Sequence, residues 1–230
     1  MTNRRSEGAL RDRARGILRL PDDVGELLGE VAATGFSLVR RALRDSEREA
    51  LVAEARAAAR RFLPLPPCVN RVEQRADQLT VRVGDPDFPR VTALAESLCC
   101  TLHSVPDTFG VHRFRPTEGR FMRYRGHTGG LGAHRDGSCY GLVVAVYSLV
   151  GAAPFIVLPD GPTGGERCVR MLVEPGDVVL LKGPGFDDDP DGRRRHAVGA
   201  PLAGERLSLT LRMGGRHGDS RFAAPCLGSG

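Results

Sequence analysis

The sequence predicts an α+β fold in which N-terminal helices pack on one sheet of a jelly-roll β-sandwich or barrel. Two observations support this prediction. Residues 1–105 carry apolar stripes at the helical spacing of about 3.6 residues, whereas residues 106–215 alternate short apolar runs with Gly and Pro turns. Because the helical part alone would leave its stripes uncovered, we expect one domain over 1–230, with 216–230 as a tail.

Three helices are predicted in the N-terminal part from the spacing of apolar residues. The first begins near Asp22 and ends at Gly35, which precedes a short strand over 36–39. The second begins at a capping box formed by Ser46 and Glu49. The predicted buried stripes contain Val24, Leu27, Leu28 and Val31; Leu51, Val52, Ala55, Ala59 and Phe62; and Val91, Leu94, Leu98 and Leu102.

Prolines end the second helix at 64–67, and the third helix runs over 89–103. Beyond residue 105, short strands are predicted between turn signals. The strands cover 109–115, 120–125, 142–150, 154–158, 169–174, 178–182 and 206–213. The turn signals lie at 116–119, 160–162 and 175–177.

Composition excludes disordered, collagen-like and membrane-spanning proteins. The chain is 41% hydrophobic and 27% charged, and no run approaches the roughly 18 apolar residues of a membrane helix. The six cysteines contain no C-x-x-C pair, and the Arg-rich N-terminus lacks an apolar secretory stretch. We therefore expect a cytoplasmic protein with reduced thiols.

The net charge of +5 favours anionic partners, which include small carboxylates as well as nucleic acid. Lys182 is the only lysine among 33 basic residues, and the arginines are scattered along the chain. A scattered distribution does not indicate a nucleic-acid-binding surface. Charge alone therefore leaves the partner open.

Three features in the β-rich half carry chemistry. His134 and Asp136 lie two residues apart, so on an extended segment both side chains can reach one metal ion. His196 follows 62 residues later, at the start of a predicted strand. Ten residues beyond it, the segment 206–212 alternates strictly between apolar and polar residues. Its polar face lies either in solvent or inside the barrel. Inside the barrel, an arginine guanidinium would bind a carboxylate through two parallel hydrogen bonds.

The ordered combination of H-x-D, a distal histidine and R-x-S resembles the iron(II)- and 2-oxoglutarate-dependent dioxygenases. The glycine-spaced approach at 124–134 is similar, as is the turn at 175–177 followed by the apolar strand 178–181. The resemblance covers about 109–213, roughly the last half of the chain.

The resemblance implies a double-stranded β-helix (jelly-roll, cupin-like) core and an enzyme that uses Fe(II), 2-oxoglutarate and O2. The iron ligands would be His134, Asp136 and His196. Arg206 would bind the far carboxylate of 2-oxoglutarate, with Ser208 orienting it and Tyr124 as a further donor. Such enzymes release succinate and CO2 while they oxidise a C–H bond. Related halogenases have a small residue in place of the carboxylate, so Asp136 favours hydroxylation, desaturation or cyclisation.

Substrate contacts are predicted from strand alternation. If Tyr124 faces inward, Arg120 and Met122 do too, whereas Arg123 and Arg125 face outward. Arg212 shares the polar face of Arg206, where it is either a second anion contact or a solvated arginine at the strand end. The remaining basic candidates are His112, Arg113, Arg115 and His127. These residues favour a small anionic substrate, such as an amino acid or a carboxylated natural-product intermediate.

Two alternative functions remain open. An AlkB-type nucleic-acid demethylase also carries two late-strand arginines six residues apart, as Arg206 and Arg212 are, but this chain has no tryptophan and few aromatic residues. A non-catalytic cupin-like binding module would contain the three metal-type residues by coincidence. The acidic run 187–191 lacks the glycine and terminal glutamate of a calcium loop, so we expect a mobile surface loop that could act as a lid. Cys139 is expected to pack as a small hydrophobic residue.

Overall fold

The computed structural model describes residues 16–21, 23–127, 129–159 and 168–214. Its longer helices are α1 (Val24–Thr34), α2 (Asp45–Ala57) and α3 (Pro89–Leu102). Its strands are β1 (Phe36–Val39), β2 (Leu63–Pro64), β3 (Cys68–Val69), β4 (Val72–Arg75), β5 (Asp77–Arg82), β6 (Glu118–Arg125), β7 (Gly130–His134), β8 (Tyr140–Val150), β9 (Ala153–Val157), β10 (Val169–Val173), β11 (Val178–Lys182), β12 (His196–Val198) and β13 (Glu205–Gly214).

The strands form two antiparallel sheets. The larger has seven strands in the order β1-β11-β8-β13-β6-β5-β2, and the smaller has six in the order β10-β9-β12-β7-β4-β3. Several neighbouring strands are far apart in sequence, as β8 and β13 are, and the chain crosses repeatedly between the sheets. This is the double-stranded β-helix arrangement, and the jelly-roll prediction is confirmed.

Polar and apolar residues alternate along β13, so the two faces of this strand lie in different environments. Leu207, Leu209 and Leu211 are buried in the apolar cluster that also contains Leu28 of α1 and Leu94 of α3. The intervening residues of β13, which are polar, point to the opposite face, towards the smaller sheet. The helices therefore cover the outer face of the seven-stranded sheet, as the sequence predicts, and the inner face is left for the site.

The predicted turn at 175–177 is present and joins β10 to β11. Gly176 adopts φ +97°, a conformation that favours glycine. The buried carboxylate of Asp177 accepts hydrogen bonds from Arg40 Nη1 at 2.7 Å and from the backbone N of Arg41 at 2.9 Å. This turn therefore fixes the chain just after the edge strand β1.

The first and third helices agree with their predicted buried stripes, but the second does not begin or end as predicted. Ser46 and Glu49 form no capping box, because the residue before α2 is Arg44 and no side chain caps that end. The helix ends at Ala57, well before the proline cluster at 64–67, and Ala59 is exposed rather than buried. At α1, Asp23 supplies the cap by accepting a hydrogen bond from the backbone N of Glu26 at 2.9 Å.

Two further expectations about secondary structure are wrong. Residues 63–82, which we expected to lie in a helical region, form four short strands at the edges of the two sheets. The predicted strand over 109–115 is instead a 3-10 turn, Val111–Arg113, preceded by Gly110 at φ +69°. The other predicted strands are observed with small changes in their ends, the strand expected to begin at His196 is β12, and β7 is added between them.

Several predictions fall outside the described residues. These are the helix start at Asp22, the turn signal at 160–162, the polar N-terminus before residue 16, Cys226 and the tail 216–230. No helix in the described part of the chain has the length and apolarity that a membrane crossing requires.

Candidate active site

A cavity of about 500 Å³ lies between the inner faces of the two sheets. The larger sheet lines it with residues of β5, β6 and β13, and the smaller sheet with residues of β4, β7, β9 and β12. All nine residues assigned to metal, cosubstrate and substrate by the sequence line this one cavity: Arg120, Met122, Tyr124, His134, Asp136, His196, Arg206, Ser208 and Arg212.

Two histidines face each other across neighbouring strands of the smaller sheet. His134 ends β7, His196 begins β12, and the two are register partners with ring centroids 4.4 Å apart. The Nδ1 atom of His134 lies 2.9 Å from the carbonyl oxygen of Gly132, and Nδ1 of His196 lies 3.1 Å from that of Arg194. Because a carbonyl oxygen can only accept a hydrogen bond, Nδ1 of each ring carries the hydrogen, and Nε2 of a neutral ring is then the nitrogen with the free lone pair.

Asp136 follows β7 in an irregular segment, and its carboxylate approaches the same place. Its Oδ2 lies 3.7 Å from Nε2 of His196, and both side chains are largely buried. Within the described residues, no three His, Cys, Asp or Glu side chains are grouped closely enough to hold an ion as they stand. His196 lies close to both His134 and Asp136. The three side chains therefore form two close pairs that have His196 in common.

The charge states of these groups suit a cation. Burial lowers the pKa of His196 to about 4, and neighbouring His134 adds to the effect, so the imidazole is neutral at pH 7. Burial alone would raise the pKa of Asp136, but electrostatic interactions with His196 and the Arg212 guanidinium outweigh it and hold that pKa below its usual value. The site therefore brings a neutral His196 imidazole and an ionised Asp136 carboxylate close to the imidazole of His134.

Two reciprocal hydrogen bonds attach the Asp136 segment to the chain that leads to His196. Arg193 Nη1 donates to the carbonyl oxygen of Asp136 at 2.6 Å, and Arg135 Nε donates to the carbonyl oxygen of Arg193 at 3.0 Å. Arg193 is itself held by the carboxylate of Asp191 through Nη2 at 2.8 Å. These contacts fix the irregular backbone that carries the carboxylate.

Arg206 lies on β13 at the inner end of the cavity and is 1% exposed. Its Nη1 donates to Ser208 Oγ at 3.2 Å, and its guanidinium carbon lies 5.1 Å from the centre of the Tyr124 ring, on the neighbouring strand. Nε has no hydrogen-bond partner, and in the described part of the chain no carboxylate pairs with this guanidinium. Burying a cation without a counter-charge costs free energy, so this part of the cavity favours the binding of an anion.

Tyr124 is the other buried polar group of this corner, at 2% exposure. Burial raises the pKa of its phenol, although the charge of Arg206 opposes this shift. The hydroxyl therefore stays protonated and can donate a hydrogen bond.

A second cationic group lies beside Asp136. Arg212 Nη1 is 3.6 Å from Asp136 Oδ1, and its Nη2 donates to Glu118 Oε1 at 2.5 Å. The same Glu118 oxygen accepts from Arg120 Nη2 at 3.3 Å and from the Tyr140 hydroxyl at 3.2 Å. Arg212 is thus a buried inward-facing residue, and the alternative of a solvated strand-end arginine is wrong.

The remaining basic candidates do not line the cavity: His112, Arg113, Arg115, Arg123, Arg125 and His127. Arg123 pairs with Asp77 at 2.9 Å on the outer side, as strand alternation predicts, and Arg125 is 64% exposed. Cys139 is half-buried against the inner apolar cluster, as expected. Phe186, just before the acidic run 187–191, is buried. Within the run, Asp189 pairs with Lys182 Nζ at 2.9 Å, so this segment is attached to β11.

Sequence reasoning missed several residues of the site. Glu118 was assigned to a turn because it lies between Pro116 and Gly119. Gln74 and Gln78 lie in the region that we expected to be helical. Residues 77–82 do carry a usable signal, because Leu79 and Val81 alternate with polar residues as a half-buried strand does.

Comparisons with known proteins support the fold. No protein-family model and no curated protein matches the sequence. Among solved structures, a prolyl hydroxylase from Trichoplax adhaerens is similar at TM-score 0.60 and 13% identity, over 92% of this chain and 93% of that one. A prolyl-4-hydroxylase from Pseudomonas putida is similar at TM-score 0.58 and 20% identity, over 83% and 98%. The non-heme alpha-ketoglutarate-dependent epimerase SnoN, from nogalamycin biosynthesis, is similar at TM-score 0.56 and 18% identity, over 83% and 82%.

These likenesses extend over most of this chain at low sequence identity, so they establish a common fold. The resemblance drawn from H-x-D, the distal histidine and R-x-S is confirmed at that level. Fold and site together define a double-stranded β-helix protein with two histidines, a carboxylate and a buried arginine around one internal cavity.

Proposed function

We propose that this chain is an iron(II)- and 2-oxoglutarate-dependent oxygenase that hydroxylates, desaturates or cyclises a small anionic molecule. The observation that carries the proposal is the placement of two imidazoles, one carboxylate and one buried guanidinium without a carboxylate partner among the described residues, all around a single cavity. The three structural relatives with this fold support it, because their names record hydroxylase and alpha-ketoglutarate-dependent activities.

The donor set fits iron(II). Two imidazoles and one carboxylate on one side of the ion leave the opposite face open, which is the ligand set of non-heme iron oxygenases. His134 and His196 each present Nε2 because their Nδ1 atoms are bonded to backbone carbonyls. Asp136 would ligate through Oδ2, while its Oδ1 is near Arg212.

The second pocket fits 2-oxoglutarate. Arg206 is buried and lacks a carboxylate partner among the described residues. A guanidinium donates two parallel hydrogen bonds to a carboxylate, and the Nη1 atom of Arg206 is oriented by its hydrogen bond to Ser208 Oγ. Tyr124, the register partner of Arg206 on β6, would donate a further hydrogen bond. This corner is specific for the distal carboxylate of a dicarboxylate whose other end reaches the metal.

Iron and 2-oxoglutarate, when bound, would supply the oxidising power and release succinate and CO2. The chain's own residues bind and orient the reactants and exclude water. Phe155 stacks on His196 at 5.4 Å between ring centroids and 10° between planes, which covers one face of that imidazole. Val146 and Val198 line the adjoining cavity wall, so the metal side is largely apolar outside the ligands.

The substrate would bind on the Arg120 and Arg212 side, with Met122 contributing apolar surface. The two guanidiniums share Glu118. Asp136, which also lies near Arg212, would be engaged by the metal. This leaves surplus positive charge facing the cavity, which favours a carboxylate-bearing substrate such as an amino acid or a natural-product intermediate. We expect this activity in the cytoplasm.

The proposal is tested by anaerobic titration of the metal-free protein with Fe(II) and 2-oxoglutarate. A bound keto acid should produce a weak visible charge-transfer band, and His134→Ala should abolish it. His112→Ala, outside the cavity, is the matched control. Absence of a band from the wild-type protein would refute the proposal and favour a non-catalytic cupin-like module.

Substrate class is tested by screening succinate release across amino acids, carboxylated intermediates and methylated oligonucleotides. We expect release with a small acid. Release only with methylated oligonucleotide, together with binding that weakens steeply with salt, would identify an AlkB-type demethylase instead.

A further inference from the structure

Two glutamine side chains reach the cavity from strands that the sequence did not predict. Gln74 lies on β4 of the smaller sheet, where it is the register partner of Leu131 on β7. Gln78 lies on β5 of the larger sheet, opposite Met122, which in turn lies opposite Ser208. Ala76 alone joins the two strands, so residues 74–78 place one carboxamide side chain on each sheet.

Neither carboxamide is fully satisfied by the protein. Gln74 is 7% exposed, and its Nε2 is buried without a hydrogen-bond partner. The Oε1 atom of Gln78 is likewise buried without a partner, and so is Nε of Arg120. A buried polar group without a hydrogen-bond partner is costly, so three such groups on residues that line one cavity point to a ligand that would satisfy them.

These residues can present the free atoms to the cavity without rearranging the backbone. All three line it, and the terminal torsion of a glutamine is broad and roughly two-fold, so the amide can turn on its last bond. Arg120 donates to Glu118 through Nη2, and its Nε is buried without a hydrogen-bond partner. The wall therefore offers two donors, from Gln74 and Arg120, and one acceptor, from Gln78.

We propose that Gln74, Gln78 and Arg120 form the subsite that selects the substrate, and that it takes the head group of an α-amino or α-hydroxy acid. Such a head group is the smallest unit that supplies two acceptor oxygens and one donor, and its carboxylate matches the charge of Arg120. This inference rests on the proposed function, because it assigns the substrate of the same cavity.

A simple carboxylic acid would leave the Gln78 oxygen unpaired, since a carboxylate has no hydrogen to donate. An amine without a carboxylate would leave Arg120 and the Gln74 amide unpaired. Sites built to hydrogen-bond a polar group discriminate strongly against analogues that lack it, because their own buried groups then remain unpaired. The subsite should therefore reject both kinds of analogue.

The test is a binding measurement that needs no turnover. Protein is loaded with Zn²⁺, which has no redox chemistry, and with 2-oxoglutarate. It is then titrated with the L-amino acids, the corresponding α-hydroxy acids, the α-unsubstituted acids and the decarboxylated amines, with melting temperature and calorimetry as readouts. We expect at least one amino or hydroxy acid to bind, and its unsubstituted acid and amine analogues to bind at least about tenfold more weakly.

Gln74→Leu and Gln78→Leu should each weaken that binding by about tenfold or more, with the affinity for 2-oxoglutarate unchanged. Glu73→Gln, an exposed change on the same strand, is the matched control and should bind like wild type. Gln74→Leu melting at the wild-type temperature without ligand verifies that the fold is intact, and Gln78→Leu provides an independent variant if it does not.

The inference is overturned if no amino or hydroxy acid binds, if the unsubstituted acids bind equally well, or if both leucine variants keep wild-type affinity. Each of these results can occur while 2-oxoglutarate still binds at Arg206, in which case the oxygenase proposal stands. Failure of 2-oxoglutarate itself to bind would count against the proposed function instead.

Discussion

Arg212 lies directly opposite Glu118 on the neighbouring strand, and its Nη2 donates to Oε1 of that carboxylate at 2.5 Å. The other end of the same guanidinium is 3.6 Å from the Asp136 carboxylate. Arg212 therefore lies between Glu118, which is not a proposed metal ligand, and Asp136, which is. Arg212 thereby connects Glu118, the first residue of β6, to the irregular segment after β7 that carries Asp136.

Glu118→Gln should destabilise the protein. The substitution keeps the shape of the side chain but removes the charge of the carboxylate to which both Arg120 and Arg212 donate, which leaves two buried guanidiniums with less compensation. We expect the free energy of unfolding in urea to fall by about 1–3 kcal/mol. Glu73→Gln makes the same chemical change at an exposed position and should have little effect; equal values for the two variants would contradict the ion-pair assignment.

Arg206→Lys should weaken 2-oxoglutarate binding although it conserves the positive charge. An ammonium cannot reproduce the two parallel hydrogen bonds of a guanidinium, and a shorter side chain gives up the contact with Ser208. The dissociation constant measured by calorimetry on the Zn²⁺-loaded protein should rise by about 10- to 100-fold. Arg125→Lys, on the exposed side of β6, serves as the comparison, and a normal affinity in Arg206→Lys would disprove the clamp.

Metal binding should stabilise the wild-type protein and fail to stabilise His196→Ala. Zn²⁺ at about 100 times its dissociation constant should add about 2.7 kcal/mol to the free energy of unfolding. In a chain of this size, that corresponds to a rise of about 5–10 °C in melting temperature, which chelator should reverse. His112→Ala should respond like wild type, and an equal rise in His196→Ala would place the ion elsewhere.

Cys99 should react slowly with thiol reagents at pH 8. Burial raises the pKa of its thiol to about 11, so the reactive thiolate is about 100-fold scarcer than for a thiol with the ordinary pKa. Residue-resolved mass spectrometry should find the exposed Cys68 labelled first. Similar labelling rates at the two positions would contradict this assignment.

The same pKa shift has a consequence for stability. A thiol whose pKa is higher in the folded protein contributes stability that is complete below its unfolded value and is lost as the pH rises towards about 11. Cys99→Ala should therefore lose less stability than wild type when urea unfolding at pH 8 is compared with pH 10.5.

The site residues were predictable from sequence because their patterns are local. The alternation over 206–212 assigns one face to the core and the other to the cavity, and the structure follows it at every position. His134 and Asp136 are close in sequence, so their proximity needs no knowledge of the fold. Only the approach of His196 depends on the pairing of β7 with β12.

The N-terminal half was less predictable because its edge strands are set by their neighbours. Residues 63–75 are mostly exposed and contain three prolines, so their sequence carries no clear strand period. They are extended because β5 and β7 offer free edges. The run at 109–115 has strand-like apolar residues, but Gly110 bends the chain into a 3-10 turn. Gln74, Gln78 and Glu118 were missed for this reason, since assigning their roles requires the pairing of these strands.

The paired hydrogen bonds between Arg193 and the Asp136 segment couple the entrance of the cavity to its chemistry. Arg135, Asp191, Arg193 and Arg195 all border the opening, and Arg193 also holds the backbone that carries one presumptive ligand. A guest too wide for the opening must push these segments apart, and doing so draws the carboxylate away from the imidazoles. Size exclusion is therefore enforced by loss of the ion itself, and an oversized molecule would inactivate the protein rather than be processed slowly.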